Sequence, residues 1–386
     1  MCVAGSGGGT RFARLPPVIE IIPLIGVSRY ATRLKRLKGI LATRLPPVLF
    51  AHLALTLNKF GGTRHRQNLK TAFFILLSAL ICLTLQTLFQ KCQNMDIVIT
   101  YVNGLDPEWQ ADYCKFTNTP MVEKRFRDWG TLRYLFRGIA ENMPFIRRVH
   151  LVVSQESQVP EWLNRNAVNV VLHRDIIPAE MLPTFNCNPI EMHLHNIKDL
   201  DEEYLYFNDD IFPLLPCLPT DFFREGRGVL GMSRHLLEIG MFKKICRNSD
   251  SVARKALGMK NSILFLRPQH VCTPMLKSQV SEVYEKVGDE IVGSMTATRS
   301  AKNLNQYLYL NYMYLKGMLI NERLSKKHFS VGMVSGKKLR KFIEHPTHKL
   351  TCINDVNIAD NRYEELRSAL LDAFESKFPN KCKYEL

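Results

Sequence analysis

From Met95 onward the chain alternates short β-branched runs with stretches of helical period, and that alternation restricts it to an α/β fold. Met95 to Asn103 (MDIVITYVN) reads as a strand entering the polar turn Asn103 to Pro107. Trp129 to Asn142 spaces Leu132, Leu135, Phe136 and Ile139 three and four apart, which makes one apolar helix face. Ile146 to Ser154 and Val168 to Arg174 read as further strands, with a short capped helix at Pro160 to Leu163. Strand, helix and strand in this order predict a largely parallel central sheet, because parallel neighbours need a crossover long enough to hold a helix.

In open parallel sheets ligands sit outside the carboxyl ends of the strands, so residues that follow strands are the first candidates for chemistry. Tyr204 to Phe207 is an aromatic strand candidate followed directly by Asn208, Asp209 and Asp210. Adjacent carboxylates repel; a divalent cation, Mg2+ or Mn2+, relieves that repulsion and grips diphosphate oxygens, whereas an exposed acidic turn accounts for the same string without a ligand. In LPTFNCNPIEMHLHNI (182–197), Glu191 and His195 are four apart on one helical face. They read either as a pair that handles a proton or orients a sugar, or as part of a capped helix with a partly buried histidine. Arg125, Arg127, Arg133 and Arg137 are available to solvent or to phosphates.

The charge of +16 suggests a nucleic-acid partner until it is mapped. Residues 1–94 hold 13 Lys and Arg against the single acid Glu20, while residues 95–386 hold 39 against 35. The basicity therefore belongs to the leader, and no nucleic-acid partner is expected. A hydrophobic fraction of 46% with 23% charged residues excludes a disordered or fibrous chain. Ten cysteines without a C-x-x-C pair give structural zinc little support and leave disulfides unassigned.

Within the leader, Thr71 to Phe89 is 19 residues without a formal charge, preceded by Arg64, Arg66 and Lys70. A helix of that length nearly spans ~30 Å of hydrocarbon, with the basic flank inside. The expectation is a single signal anchor. A cleaved signal, an interfacial or buried helix, and upstream sequence joined to a chain that starts at Met95 are the alternatives. The protein is then membrane-associated and single-pass if the leader is translated, and otherwise cytoplasmic or peripheral at the membrane.

Downstream, Pro213, Pro216 and Pro219 mark residues 213–223 as a loop at the rim of the site. Residues 231–320 read as a helical insertion, basic around HLLEIGMFKKI. The aromatic run 304–320 is interrupted by Asn305, Gln306, Asn311 and Lys316, which favours a helix packed on the core over a membrane span, with a sugar platform on one edge as the other use.

Taken together, MDIVITYVNGLDPEW, RFRDWGTLRYLFRGI, VPEWL, LPTFNCNPIEMHLHNI and YLYFNDDIF strongly resemble the Stealth family of sugar-phosphate transferases. That family includes capsular polysaccharide phosphotransferases and the catalytic part of N-acetylglucosamine-1-phosphotransferase. The resemblance covers residues 95–386. His270 to Pro274, continued by the segment of Arg299, is similar to the family's third conserved region, Cys352 to Asp355 to its fourth, and Phe378 to Glu385 to its ending. Asn103 stands where many bacterial members carry an acid, and Tyr101 and Leu105 also depart from the usual residues.

The resemblance implies an α/β nucleotide-sugar transferase fold. It also implies transfer of a sugar 1-phosphate from a nucleotide sugar, commonly UDP-linked, to a hydroxyl of a polysaccharide or other glycan acceptor. The leaving group is a nucleoside monophosphate. On this reading Asp209, Asp210 and Asp355, with Asn354, hold Mg2+ or Mn2+; Arg127 and Arg299, with Asn103, face the donor phosphates, although each Arg serves equally in a surface ion pair. His270 is favoured as the proton acceptor, with His195 the other imidazole and Asp96 or Asp106 orienting the acceptor hydroxyl or acting as base. A noncatalytic glycan-binding protein and a conventional glycosyltransferase, which releases a nucleoside diphosphate, are the competing functions.

Overall fold

Ile97, Val98 and Ile99 are wholly buried, as expected of a strand with parallel neighbours and both faces covered. The computed structural model describes residues 95–120 and 124–386, so the 71–89 run and the rest of the leader lie outside the described residues. Five strands form the main sheet in the order β10-β4-β1-β2-β3. β1 (Met95–Thr100), β2 (Ile146–Val153), β3 (Val168–Leu172) and β4 (Glu203–Asn208) are parallel, and β10 (Thr273–Leu276) is antiparallel to β4.

Helix α1 (Pro107–Thr117) follows β1, and α2 (Leu132–Asn142) precedes β2. α2 begins three residues later than its periodicity suggests. The Asp128 carboxylate accepts from the Gly130 N–H, and Gly130 takes a φ of 69°, a turn that a helix cannot include. Leu135, Phe136 and Ile139 are fully buried, each contributing about 1.5–3 kcal/mol relative to exposure. Arg137, expected on the open face, is buried instead: it donates to both Glu385 carboxylate oxygens and to the Phe378 carbonyl, which ties the chain's ending to α2. Pro160 to Leu163 is a turn rather than a helix, with Leu163 bridged to Glu385.

After β4 the chain turns at Asp209 and Asp210 and leaves the main sheet as β5 (Ile211–Pro213). β5 joins β12 (Lys326–Ser330) and β13 (Leu350–Asn354) in a second sheet of order β12-β13-β5. α2 lies directly against β5: a Cβ on Gly138 would meet the Pro213 carbonyl at 2.7 Å, and Asn142 Nδ2 donates to that carbonyl at 3.0 Å. Helix α8 (Asp360–Lys377) packs Phe374 on Phe212 of β5 and on Tyr134 of α2.

The span 231–320 is not purely a helical insertion. It contributes β10 to the main sheet, and β8 (Met232–His235) pairs with β9 (Phe265–Pro268) around helix α4 (Met241–Ala256). Helices α5 (Lys277–Ser294) and α6 (Tyr307–Leu315) follow, and Tyr307 through Met313 are all buried, so the aromatic run packs the core. β6 (Phe223–Arg224), β7 (Arg227–Val229) and β11 (Leu319–Ile320) make a small sheet beside it, and α7 (Gly336–Glu344) precedes β13. The short helix α3 (Cys187–His193) precedes β4. Among the described residues no helix is long and apolar enough to cross a membrane, and all seven cysteines are free.

Candidate active site

A cleft of about 340 Å³ opens at the carboxyl ends of β1, β2 and β4. Its wall includes Tyr101 after β1, Ser154 after β2 and Asn208, Asp209 and Asp210 after β4. β13 closes one side with Asn354 and Asp355. The closure has a simple backbone cause: Cys352 pairs with Ile211, and Ile353 N–H donates to the Asp210 carbonyl at 2.9 Å. Two residues span at most roughly 7 Å, so Asp355 cannot lie far from the acid pair.

Burial pushes Asp209 up to about 8, reinforced by the charges of Asp210, Asp128 and Asp355. Asp210 rises to about 6, again mainly through burial, while the Cys352 thiol, donating at 3.4 Å, opposes the shift. Asp355 is also raised, by burial first, and the Arg127 charge pulls it back. Asp128, which the sequence reading did not assign, lines the same cleft. Asp128, Asp209, Asp210 and Asp355 line the cleft as a set of carboxylates, the charges of the other three help to raise Asp209, and Asp210 Oδ1 is buried without a hydrogen-bond partner. Such a set fits a hard divalent cation such as Mg2+ or Mn2+.

Two guanidinium groups share the cleft. Arg127 donates through Nη2 to the Ile358 carbonyl and to Asp360, and stands over the Tyr363 ring, while its Nη1 is buried without a hydrogen-bond partner. Arg299 lies 3.1 Å from Cys187 Sγ, and its charge lowers the neighbouring Glu191.

Glu191, read from the sequence only together with His195, is the other acid at the cleft. It projects from α3 into the cleft, where burial raises it to about 7 against the opposing bond from the Gln306 N–H at 3.1 Å. Of the pair that the helical spacing singled out, Glu191 lines the cleft and His195 does not. His195 falls in the 3-10 turn after α3 (194–196), packs on Tyr284 and Tyr309, is driven down to about 4 by burial and does not line the cleft.

The remaining assignments divide by position. Asp96 sits at the opposite end of β1, about 13 Å of strand from Thr100, and serves the fold: Arg147 bonds both its oxygens, and His150 and the Asp201 N–H bond it too. Asp106 caps α1, accepting from the Glu108 N–H, from Ser157 and from Gln158. Asn103 turns its side chain to the Leu105 N–H and its backbone to Gln158, away from the cleft lining. His270 adjoins Asp210 and Cys352, the three donor atoms lying within 4.8 Å of one another, yet it does not line the cleft. Burial, then Lys326 and His328, lower it to about 4, which makes it a weak base near neutral pH.

The family description Stealth protein CR2, conserved region 2, matches residues 125–229, which contain Arg127, Asp128, Glu191, Asp209 and Asp210. The receptor polysaccharide phosphotransferase WefC of Streptococcus oralis is 30% identical over 339 residues, covering 76% of this chain and 99% of its own. The capsular polysaccharide phosphotransferase WcwK of Streptococcus pneumoniae is 29% identical over 338 residues, 76% of this chain and 99% of its own. The galactosyltransferase LgtC, solved with donor and acceptor sugar analogues, aligns over 72% of this chain and 96% of its own at 15% identity and a TM-score of 0.32, too distant a likeness to carry an argument.

Proposed function

We infer the reaction from the premise that the chain belongs to the Stealth family of polysaccharide phosphotransferases: it transfers a sugar 1-phosphate from a nucleotide sugar, UDP-linked in our reading, to a glycan hydroxyl in polysaccharide biosynthesis. The observation that carries this reading is the convergence of Asp128, Asp209, Asp210 and Asp355 with Glu191, Arg127 and Arg299 around one cleft. Asp128, Asp209, Asp210 and Asp355 would hold Mg2+ or Mn2+, which would supply positive charge against the diphosphate oxygens and let the acid pair ionise together.

Arg127 and Arg299 orient the diphosphate, and their fixed charge stabilises the phosphoryl oxygens as charge develops on them. The acceptor hydroxyl oxygen attacks the phosphorus that carries the sugar. The phosphoanhydride bond breaks, and the nucleoside monophosphate leaves with the bridging oxygen and the bonding electron pair. Glu191, raised to about 7, is ionised in a useful fraction near neutrality and takes the hydroxyl proton. His270 acts through Asp210, whose carboxylate it adjoins, rather than on the acceptor.

The test is a donor panel incubated with glycan acceptors, with and without a chelator, and mass analysis of both products. A sugar phosphodiester with released UMP supports the reading. Release of UDP identifies a conventional glycosyl transfer, and glycan binding without turnover on any donor identifies a noncatalytic member.

A further inference from the structure

Eight of the fourteen large apolar side chains exposed among the described residues fall between residues 236 and 264. Six of them lie on two arms that leave the same end of the β8–β9 pair, where His235 is paired with Phe265, and Met241 and Phe242 open helix α4 between the arms. Leu236, Leu237 and Ile239 precede α4, while Met259, Ile263 and Leu264 follow it. Ile239 and Ile263, one from each arm, are 73% and 79% exposed, values at which an isoleucine buries almost nothing against its own chain.

The arms are fastened to each other. Arg247 of α4 donates to the Ser262 and Ile263 carbonyls, both at 2.8 Å, and lies 3.8 Å from Glu238 on the first arm. One guanidinium thus holds both apolar loops in register. Grouped exposure of this kind marks a contact surface rather than scattered surface leucines.

Charge selects the partner. Residues 234–267 carry eight Lys and Arg against Glu238 and Asp250 alone, in a domain whose totals are 39 against 35. Both acids are already paired, with Arg247 and Arg254. Arg234, Lys244 and Lys260 are exposed in the same stretch of chain. Exposed apolar side chains in a cationic stretch meet the two demands of an interfacial site: the former enter the acyl boundary, and the latter face anionic headgroups.

We propose that the 236–264 patch docks this protein peripherally on the surface of a bilayer that carries anionic lipids. The docked edge is coupled to the chemistry by a short path. Five residues separate Phe265, beside the patch, from His270, beside Asp210, a span of at most roughly 18 Å.

The full-length chain is tested with tryptophan placed at Ile239 (Ile239→Trp), at Ile263 (Ile263→Trp) and, as a remote exposed control, at Met333 (Met333→Trp). Vesicles are phosphatidylcholine containing about one third phosphatidylglycerol, with brominated acyl chains, and each variant is read against the unsubstituted protein. Blue-shifted and at least twofold quenched emission at 239 and 263 but not at 333, lost in pure phosphatidylcholine or at high salt, is expected. Lys244→Glu with Lys260→Glu should weaken vesicle binding about tenfold or more. Because the same leader is present throughout, vesicle-bound protein with 239 and 263 unquenched overturns the proposal. So does emission already blue-shifted without vesicles, which means that residues 1–94 or a second copy cover the patch. Quenching equally strong in pure phosphatidylcholine at all salt concentrations overturns the anionic-lipid requirement.

Discussion

The backbone N–H of Ile353 donates to the carbonyl of Asp210 across 2.9 Å, and that bond fastens the acidic turn after β4 to the strand that ends at Asp355. Two segments more than 140 residues apart thereby share one cleft. The turn belongs at once to the main sheet, through β4, and to the second sheet, through β5.

Replacing the acids should abolish turnover without unfolding the chain. Asp209→Asn and Asp355→Asn are expected to lower kcat by roughly a hundredfold to ten-thousandfold. Thermal melting should show unchanged or higher stability, since each substitution removes a buried group whose ionisation is disfavoured. Normal cation-dependent turnover in both variants would remove these residues from the site.

The acid cluster also sets a pH dependence of stability in the cation-free protein. An acid whose folded pKa is raised binds its proton more tightly when folded, so stability falls as pH rises from the unfolded value to the folded one. For Asp209 that window runs from the model-peptide value of 3.8 to about 8. The melting temperature should decline across it, decline less in Asp209→Asn, and recover when Mg2+ or Mn2+ is added. A flat profile in the cation-free protein would contradict the clustering.

Glu191→Gln tests the proton acceptor. A base must be ionised to act, so kcat in the native enzyme should rise with pH through about 7. The variant should lose that limb and roughly a hundredfold or more in kcat, while KM for the donor changes little. An unchanged pH profile would return the role to another group.

Arg127→Ala and Arg299→Ala should act mainly on donor binding. Loss of a charge-assisted bond of about 1.5–3 kcal/mol corresponds to roughly ten- to a hundredfold in KM for the nucleotide sugar. Arg127→Ala should also lower stability modestly, because it removes the bonds to Ile358 and Asp360.

Asp96→Asn should be the opposite kind of variant. Burial pushes Asp96 up, but the bonds from His150, Arg147 and the Asp201 N–H outweigh it and hold the group at about 2. Its contribution is present above the model-peptide value of 3.8 and is lost as pH falls toward about 2. Breaking a buried pair of this kind costs about 3–5 kcal/mol, so denaturant melts should shift while specific activity of the folded fraction stays near native.

Local pattern determined a good deal by itself. The β-branched runs and the spacing of Leu132, Leu135, Phe136 and Ile139 specify strands and a helix face because period and burial are properties of a few neighbouring residues. The position of Asp209 and Asp210 after an aromatic strand marked the edge at which the cleft opens for the same reason, and the ordered motifs around them carried the family. Which acids face the cleft was a tertiary matter. Asp96 and Asp209 both adjoin strands of one sheet, but parallel strands send their two ends to opposite edges, and only the carboxyl edge opens into the cleft. Glu191 and His195 share a helical spacing, yet the helix ends at His193, and packing on Tyr284 and Tyr309 takes the histidine into the core. Asp128 carried no local signal, because its meeting with Asp209 depends on how the segment before α2 lies across the ends of other strands. Contact between residues distant in sequence is decided by sheet order and helix docking, which no short window of the chain encodes.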